Sequence, residues 1–278
     1  MNLSEISCLL FVPGNRPERF EKARTASPEG IVIDLEDAVA PADKAAARAA
    51  ACAYLAAAQA GPPIFVRINP LGARPALDDL GALADGALSP AGLFLAKVET
   101  ARDVEIVRSH LASPLPLLVA IETAAGMANA AEIARELGPN DALGFGGADF
   151  AADLGAAFSW EALYPGRGAL VQAAATGRVG CFDVPCLDIA NGDALVTETR
   201  RVRALGFTGK LAIHPAQVEP IRGAFRPSEE EIGRARRVVE ALDAAGGRAV
   251  SLDGKMVDAP VAQSARRTLA RAHTAGLI

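Results

Sequence analysis

The stretch Leu117-Leu118-Val119-Ala120-Ile121-Glu122-Thr123 decides how this chain is read. Five apolar residues follow one another without alternation and stop at an acid. A strand with one wet face alternates apolar and polar side chains, whereas a continuous run fits a strand buried on both faces, as in parallel sheets. The residues from Met127 to Leu137 then carry an Ala-rich amphipathic helix pattern, ended by Gly138-Pro139-Asn140. The unit is therefore a strand, an acid at its C-terminal end, a helix and a turn.

Outward from there the unit recurs. Ser7–Val12, Gly30–Leu35, Ile64–Ile68, Gly92–Val98, Ala142–Gly146, Pro185–Ile189 and Lys210–Ile213 are further short apolar runs, which makes eight strands in all. Helical stretches over Ala38–Ala58, Ala101–Leu111, Glu161–Thr176 and Ala194–Leu205 separate most of them, with Pro13-Gly14-Asn15 and Gly61-Pro62-Pro63 at the joints. Alternating strand and helix predicts a parallel sheet. Eight repeats in a chain of 278 residues favour a closed (β/α)8 TIM barrel over an open doubly wound sheet. The barrel is expected over residues 1–226, with a C-terminal helical extension over residues 227–278. In the extension Ser228 and Glu231 form a capping box for a helix running to Ala245, closed by Gly246-Gly247. After the segment Val250–Asp258 a last helix starts at Ala259. This tail is not another strand–helix unit, and is expected to pack on the barrel or on a neighbouring subunit.

The bulk properties remove whole classes of function. A formal net charge of −5 leaves no basic field for a nucleic acid. A hydrophobic fraction of 51% supplies a core, but no apolar run is long enough to span a bilayer. Met1–Ser7 has no basic region ahead of an apolar run, as a secretory leader would. The four cysteines, Cys8, Cys52, Cys181 and Cys186, show no CxxC spacing and sit among apolar neighbours. A reduced, cytoplasmic protein is the expectation.

In barrels of this kind the chemistry sits where strands end and the following loops begin. The residues there are Asn15 and Arg16 after the first strand, then Asp34, Glu36 and Asp37, then Arg67 and Asn69, then Lys97 and Glu99. Glu122 and Thr123, Asp149, Asp188 and His214 follow on the later strands. Carboxylates from adjacent strands repel one another unless a cation lies between them. The ring offers hard oxygen ligands and no thiolate pair, which favours Mg2+. A single such charge reads most simply as a solvated loop residue. Glu122, Arg67 and Asp149 together read as function, because each follows an apolar run that points it at the barrel mouth.

Several strings resemble the citrate lyase β-subunit-like family, which includes malyl-CoA and citramalyl-CoA lyases. They are Leu10–Gly14, Asp34–Val39, Val66–Pro70, Lys97–Glu99, Ile121–Gly126, Phe145–Phe150, Gly209–Pro215 and Asp253–Asp258, in family order and spanning nearly the whole chain. The resemblance implies Mg2+ on Glu122 and Asp149, with Arg67 gripping the substrate carboxylate. It implies a homotrimer or homohexamer in which Asp258, from the C-terminal segment of a neighbouring subunit, completes the catalytic site. Ala148-Asp149 stands where many members have Glu-Asp, which tilts the resemblance toward the malyl-CoA lyase branch. Asp183–Asp188 also departs from the usual pattern and leaves the substrate open.

The implied reaction is a reversible Claisen-type cleavage of a 3-hydroxyacyl thioester, of malyl-CoA, citramalyl-CoA or citryl type. It yields a 2-keto acid and an acyl thioester. Mg2+ would chelate the carboxylate and hydroxyl as a Lewis acid, and Arg67 would pair with the carboxylate in bidentate geometry. The thioester enolate must then be protonated. Among His110, His214 and His273 only His214 lies on the rim, and the resemblance assigns the task to Asp258. By sequence alone Asp258 is the N-cap of the last helix, before Ala259-Pro260. Glu36 and Asp37 are expected to bind the metal through water, or to be a charge pair at a helix start. Arg16 and Lys22, with Asn15 and Arg19, are candidates for the CoA phosphates at a helix start. The competing readings are an acyl-CoA thioesterase or a keto-acid aldolase on the same metal site, and a citrate lyase β subunit acting on an acyl-carrier protein in a multienzyme complex. A binding protein with a dead site is disfavoured by the joint presence of Glu122, Asp149 and Arg67.

Overall fold

A computed structural model of the chain describes residues 1–57, 61–83, 86–88 and 90–278. Eight parallel strands close into a barrel in sequence order, with the last paired to the first. They are β1 (Cys8–Pro13), β2 (Gly30–Asp34), β3 (Ile64–Ile68), β4 (Gly92–Leu95), β5 (Leu117–Ile121), β6 (Ala142–Phe145), β7 (Gly180–Asp183) and β8 (Gly209–Ala212). All five residues of β5 are buried, as its unbroken apolar run predicts.

The helices between the strands are α1 (Phe20–Thr25), α2 (Lys44–Ala56), α3 (Arg74–Leu83), α4 (Ala101–His110), α5 (Ala124–Glu136), α6 (Gly147–Leu154), α7 (Trp160–Gly177) and α8 (Gly192–Leu205). Polar side chains start them sharply. Thr100 and Asp103 form a capping box on α4, and Thr123, the residue after Glu122, accepts from the Gly126 N–H to open α5. The barrel interior is filled by side chains in layers, among them Leu9, Val32, Phe65, Phe94, Leu118 and Phe182, with Leu3 and Ile6 from the turn before β1.

The structure moves some expected boundaries. Residues Pro185–Ile189 are not the seventh strand; β7 is Gly180–Asp183, and Leu187 and Ile189 are exposed. The true strand is only four residues long, begins with glycine and ends with an acid, so its apolar signal is weaker than that of the loop behind it. The helix expected over Ala38–Ala58 begins at Lys44, after a 3-10 turn at Pro41–Asp43, and Ala58 lies outside the described residues. Proline at that turn presets the helix entry and would be costly further inside. Helix α5 starts at Ala124, three residues before the pattern begins at Met127. Helices α3 and α6 carry sequence patterns too short to separate from loop.

The chain divides into two compact units, Met1–Arg222 and Gly223–Ile278, and the division falls within α9 (Val218–Phe225). The second unit holds α10 (Glu229–Ala244), started by the Ser228–Glu231 capping box. An antiparallel hairpin of β9 (Val250–Leu252) and β10 (Lys255–Val257) follows, and then α11 (Ala259–Thr274). Asp253 and Gly254 both take positive φ, 50° and 72°, which is the two-residue turn that suits the twist of a hairpin. Ala235, Val238, Leu242, Val257, Ala262 and Ala265 form this unit's own core. No helix among the described residues is long and apolar enough to cross a membrane.

Candidate active site

The site is built upward from the barrel core. Phe65 on β3 faces the interior, so Arg67, two residues on, stands on the same face one layer nearer the mouth. Its guanidinium lies 4.9 Å from the centre of the Phe11 ring and 5.9 Å from that of Phe94. The β2–β3 register sets Arg67 directly beside Asp34. Arg67 Nε donates to Asp34 Oδ1 at 2.7 Å and Nη2 to Oδ2 at 2.8 Å, a bidentate pair, while Nη1 lies 3.1 Å from Glu36 Oε2. Asp34 also accepts from the Glu36 and Ala38 N–H groups, at 2.8 and 3.0 Å. Burial alone would lower the guanidinium's pKa, but Asp34 and Glu36 hold it above the ordinary value.

The next strands bring the acids together. Lys97, two residues past β4, has φ of 52°. Its N–H donates to Glu122 Oε2 at 3.2 Å. Its ammonium lies 2.6 Å from Glu36 Oε1, 3.4 Å from Asp37 Oδ1 and 3.8 Å from Asp149 Oδ1. Glu122 is buried and follows β5 directly, whereas Asp149 sits in the first turn of α6 and is partly exposed. Gly146, at the end of β6, makes room for Glu122. A Cβ there would sit 2.1 Å from Glu122 Cγ, so no other residue fits without moving the carboxylate.

The charges do not balance. Asp34, Glu36, Asp37, Glu122 and Asp149 surround only Arg67 and Lys97. Burial pushes the Glu122 carboxyl up to about 7, and the nearby Glu36 and Asp149 charges add to the push against the pull of Arg67 and Lys97. Burial likewise raises Glu36, against Arg67 and Lys97. Asp37 is lowered: burial works to raise it, but its hydrogen bonding with Glu36 and the charges of Arg67 and Lys97 prevail. A rim with surplus carboxylate and hard oxygen donors fits a divalent cation. No group of three or more His, Cys, Asp and Glu side chains among the described residues makes a metal cage. Magnesium is commonly held by one or two carboxylates and keeps several waters.

The other expected residues are placed as follows. Asn69 is buried behind the rim, tied to Asp79 and to the Leu35 carbonyl. Glu99 accepts from the Thr123 hydroxyl at 2.9 Å, and so supports the start of α5. Asn15 reaches Asp43 at 3.3 Å. Arg16 and Lys22 are exposed, next to a short 3-10 turn and on the six-residue α1. His214 caps the turn after β8 by accepting from the Ala216 N–H at 3.2 Å. Asp188 is not at a strand end; it accepts from Ala190 N–H in the exposed loop after β7. Asp258 is the N-cap of α11, accepting from the Val261 N–H at 3.3 Å.

A second ionic group was not legible as such. Asp183, at the end of β7, accepts from Arg167 Nε at 2.7 Å and from Lys210 Nζ at 2.5 Å. Lys210 also donates to the Val184 carbonyl and to Glu198, at 2.6 and 2.7 Å. Asp183 and Lys210 are fully buried and Arg167 nearly so. Arg167 Nη1 has no hydrogen-bond partner, but the guanidinium lies over the Trp160 ring at 4.7 Å. A lysine in the middle of an apolar strand was the available signal, since such a charge needs a buried acid.

Comparison with known proteins finds family matches over nearly the whole chain. Residues 7–215 match the family described as HpcH/HpaI aldolase/citrate lyase, and residues 172–277 match a C–C bond lyase family of the TIM-barrel fold. The chain is 32% identical to the mitochondrial citramalyl-CoA lyase of Homo sapiens, over 94% of this chain and 84% of that one. It is 35% identical to the (3S)-malyl-CoA thioesterase of Cereibacter sphaeroides, over 95% and 93% of the two chains. Among solved structures it is similar to the protein CitE of Mycobacterium tuberculosis in complex with magnesium, acetoacetate and coenzyme A. That match has a TM-score of 0.81 at 33% identity, covering 97% of this chain and 99% of the other.

Proposed function

The chain belongs to the HpcH/HpaI aldolase/citrate lyase family, and on that premise we propose that it is a magnesium-dependent carbon–carbon lyase acting on a 3-hydroxyacyl thioester. The carrying observation is the pairing of Glu122 and Asp149 in a rim with more acid than base, beside an arginine fixed by Asp34. The relative that binds magnesium, acetoacetate and coenzyme A supports the metal, the keto-acid end and the thioester carrier together.

In this reading Glu122 and Asp149 hold the metal. When bound, magnesium supplies Lewis-acid polarisation of the substrate's carboxylate and hydroxyl. Arg67 has five N–H donors, of which two hydrogen-bond to Asp34, while Nη1 lies 3.1 Å from Glu36 Oε2 as an ion pair. The remaining donors face the substrate carboxylate, and the Asp34 clamp keeps the guanidinium from turning with it. Glu36 and Asp37 serve the metal through water. The hydroxyl proton passes to solvent water as the carbon–carbon bond breaks, a 2-keto acid forms, and the bonding electrons pass to the thioester enolate. Asp258 then gives its proton to the enolate carbon and regains it in the reverse direction. Support for Asp258 comes from the resemblance of Asp253–Asp258 to the family's C-terminal string, and the reading places it in the site of a neighbouring copy of a homotrimer or homohexamer. Arg16 and Lys22 take the CoA phosphates.

Similarity to a malyl-CoA thioesterase supports a second reading, in which the thioester is hydrolysed rather than left intact. One experiment separates the two. Purified protein is given malyl-, citramalyl- and citryl-thioesters, on CoA and on an acyl-carrier protein, with Mg2+ and then with EDTA. The lyase reading expects a 2-keto acid and an intact acyl thioester, with turnover lost in EDTA. Free CoA as the primary product would establish the thioesterase, and turnover unaffected by EDTA would sink the metal mechanism.

A further inference from the structure

Lys97 is the one rim residue whose backbone is strained. Its φ of 52° is a left-handed conformation disfavoured for any residue with a Cβ. Strain that persists in a site is a reason to ask what it secures. Here it lets one residue serve acids on three sides. The N–H reaches Glu122 at 3.2 Å, and the ammonium reaches Glu36 at 2.6 Å, Asp37 at 3.4 Å and Asp149 at 3.8 Å. Both proposed metal ligands thus touch Lys97, one through its backbone and the other through its charge. Arg67, the other cation paired with these carboxylates among the described residues, is committed to Asp34 and Glu36, while the Lys44 ammonium donates to the Glu36 carbonyl at 2.6 Å.

We propose that Lys97 is a positioning residue with two opposed effects on the metal: its N–H fixes Glu122, while its ammonium competes with the divalent cation for Asp149 and Glu36. The inference rests on the metal assignment made above. Lys97 stands in as counter-charge when the ion is away, which keeps the acids from driving the rim apart. When the ion is present, the fixed positive charge beside it weakens its hold. The protein thereby trades affinity for a rim that stays assembled when metal-free.

The test measures Mg2+ binding by isothermal titration calorimetry, without substrate, on the wild type, Lys97→Met and Lys97→Gly. Lys97→Met removes the charge and keeps the stem. Lys97→Gly also relieves the left-handed backbone and keeps the N–H. Both variants are expected to bind Mg2+ ~10-fold more tightly than the wild type, the scale of losing one nearby like charge. Both are also expected to show a lower metal-free melting temperature and a larger rise on adding Mg2+. Affinity unchanged or weakened in both variants would overturn the proposal, since a residue that merely braced the ligands would lose affinity on removal. Failure of the wild type to bind Mg2+ at all would instead overturn the metal assignment, and this inference with it. Should Lys97→Met not fold, Lys97→Gly carries the same decision.

Discussion

The barrel carries two ionic clusters a few strands apart, and they are built on opposite plans. On the β7–β8 side, Arg167 and Lys210 face Asp183 and Glu198, two cations with two acids, with Arg167 Nη1 left without a hydrogen-bond partner. On the β2–β6 side, five acids face Arg67 and Lys97. The first cluster balances its charges within the chain. The second is left negative, and one of its acids is held up at about 7 by burial. Proximity of charged residues is thus no sign of a site by itself. The sign is a surplus of one charge, at the end of the barrel where a ligand can reach it.

The largest effect is expected in the balanced cluster. Asp183→Ala leaves buried Arg167 without its acid and Lys210 with Glu198 and the Val184 carbonyl, and losing one partner of such a network costs about 3–5 kcal/mol. Urea denaturation is expected to show a loss of about that size, the same with and without Mg2+. A loss that Mg2+ repairs would break the contrast between the clusters.

A smaller effect is expected in the surplus cluster, with the opposite sign. Glu122 has its folded-state pKa raised from 4.5 to about 7, so its folded form holds a proton that the unfolded chain gives up. The stability it contributes is full below about pH 4.5 and is lost as pH rises through about 7. In EDTA the wild type is therefore expected to lose roughly 2–3 kcal/mol from this group between pH 4.5 and 8. Glu122→Gln cannot ionise and is expected to lose correspondingly less, so that it is the more stable protein at pH 8. Melting curves across that range check it, and identical pH profiles for the two proteins would contradict the charge-surplus account.

Much of the fold was readable because strands such as β5 and β6 are buried throughout and their apolar runs are unbroken. The exception shows the rule. In β7, Gly180-Cys181-Phe182-Asp183 hides a buried acid whose partners lie on α7 and β8, so composition argued against a strand that tertiary pairing supports. The rim was sought at the strand ends: Glu122 directly follows β5, whereas Arg67 lies within β3 and Asp149 in the first turn of α6. What could not be read was pairing. The Asp34 clamp on Arg67 depends on the β2–β3 register, and the reach of Lys97 to three acids depends on a left-handed φ that no residue type announces. Gly146 was read as the end of the sixth apolar run, and only the 2.1 Å approach of Glu122 Cγ shows what it makes room for.

The central claim is that the surplus acids hold magnesium through Glu122 and Asp149. Asp149 is partly exposed, with 42% of its side chain accessible, so replacing it disturbs the fold little. The most direct measurement is calorimetric Mg2+ titration of the wild type and Asp149→Ala at pH 7.5, with circular dichroism to confirm that the variant is folded. The account predicts a saturable site in the wild type and none in the folded variant. Wild-type affinity retained by Asp149→Ala would contradict it.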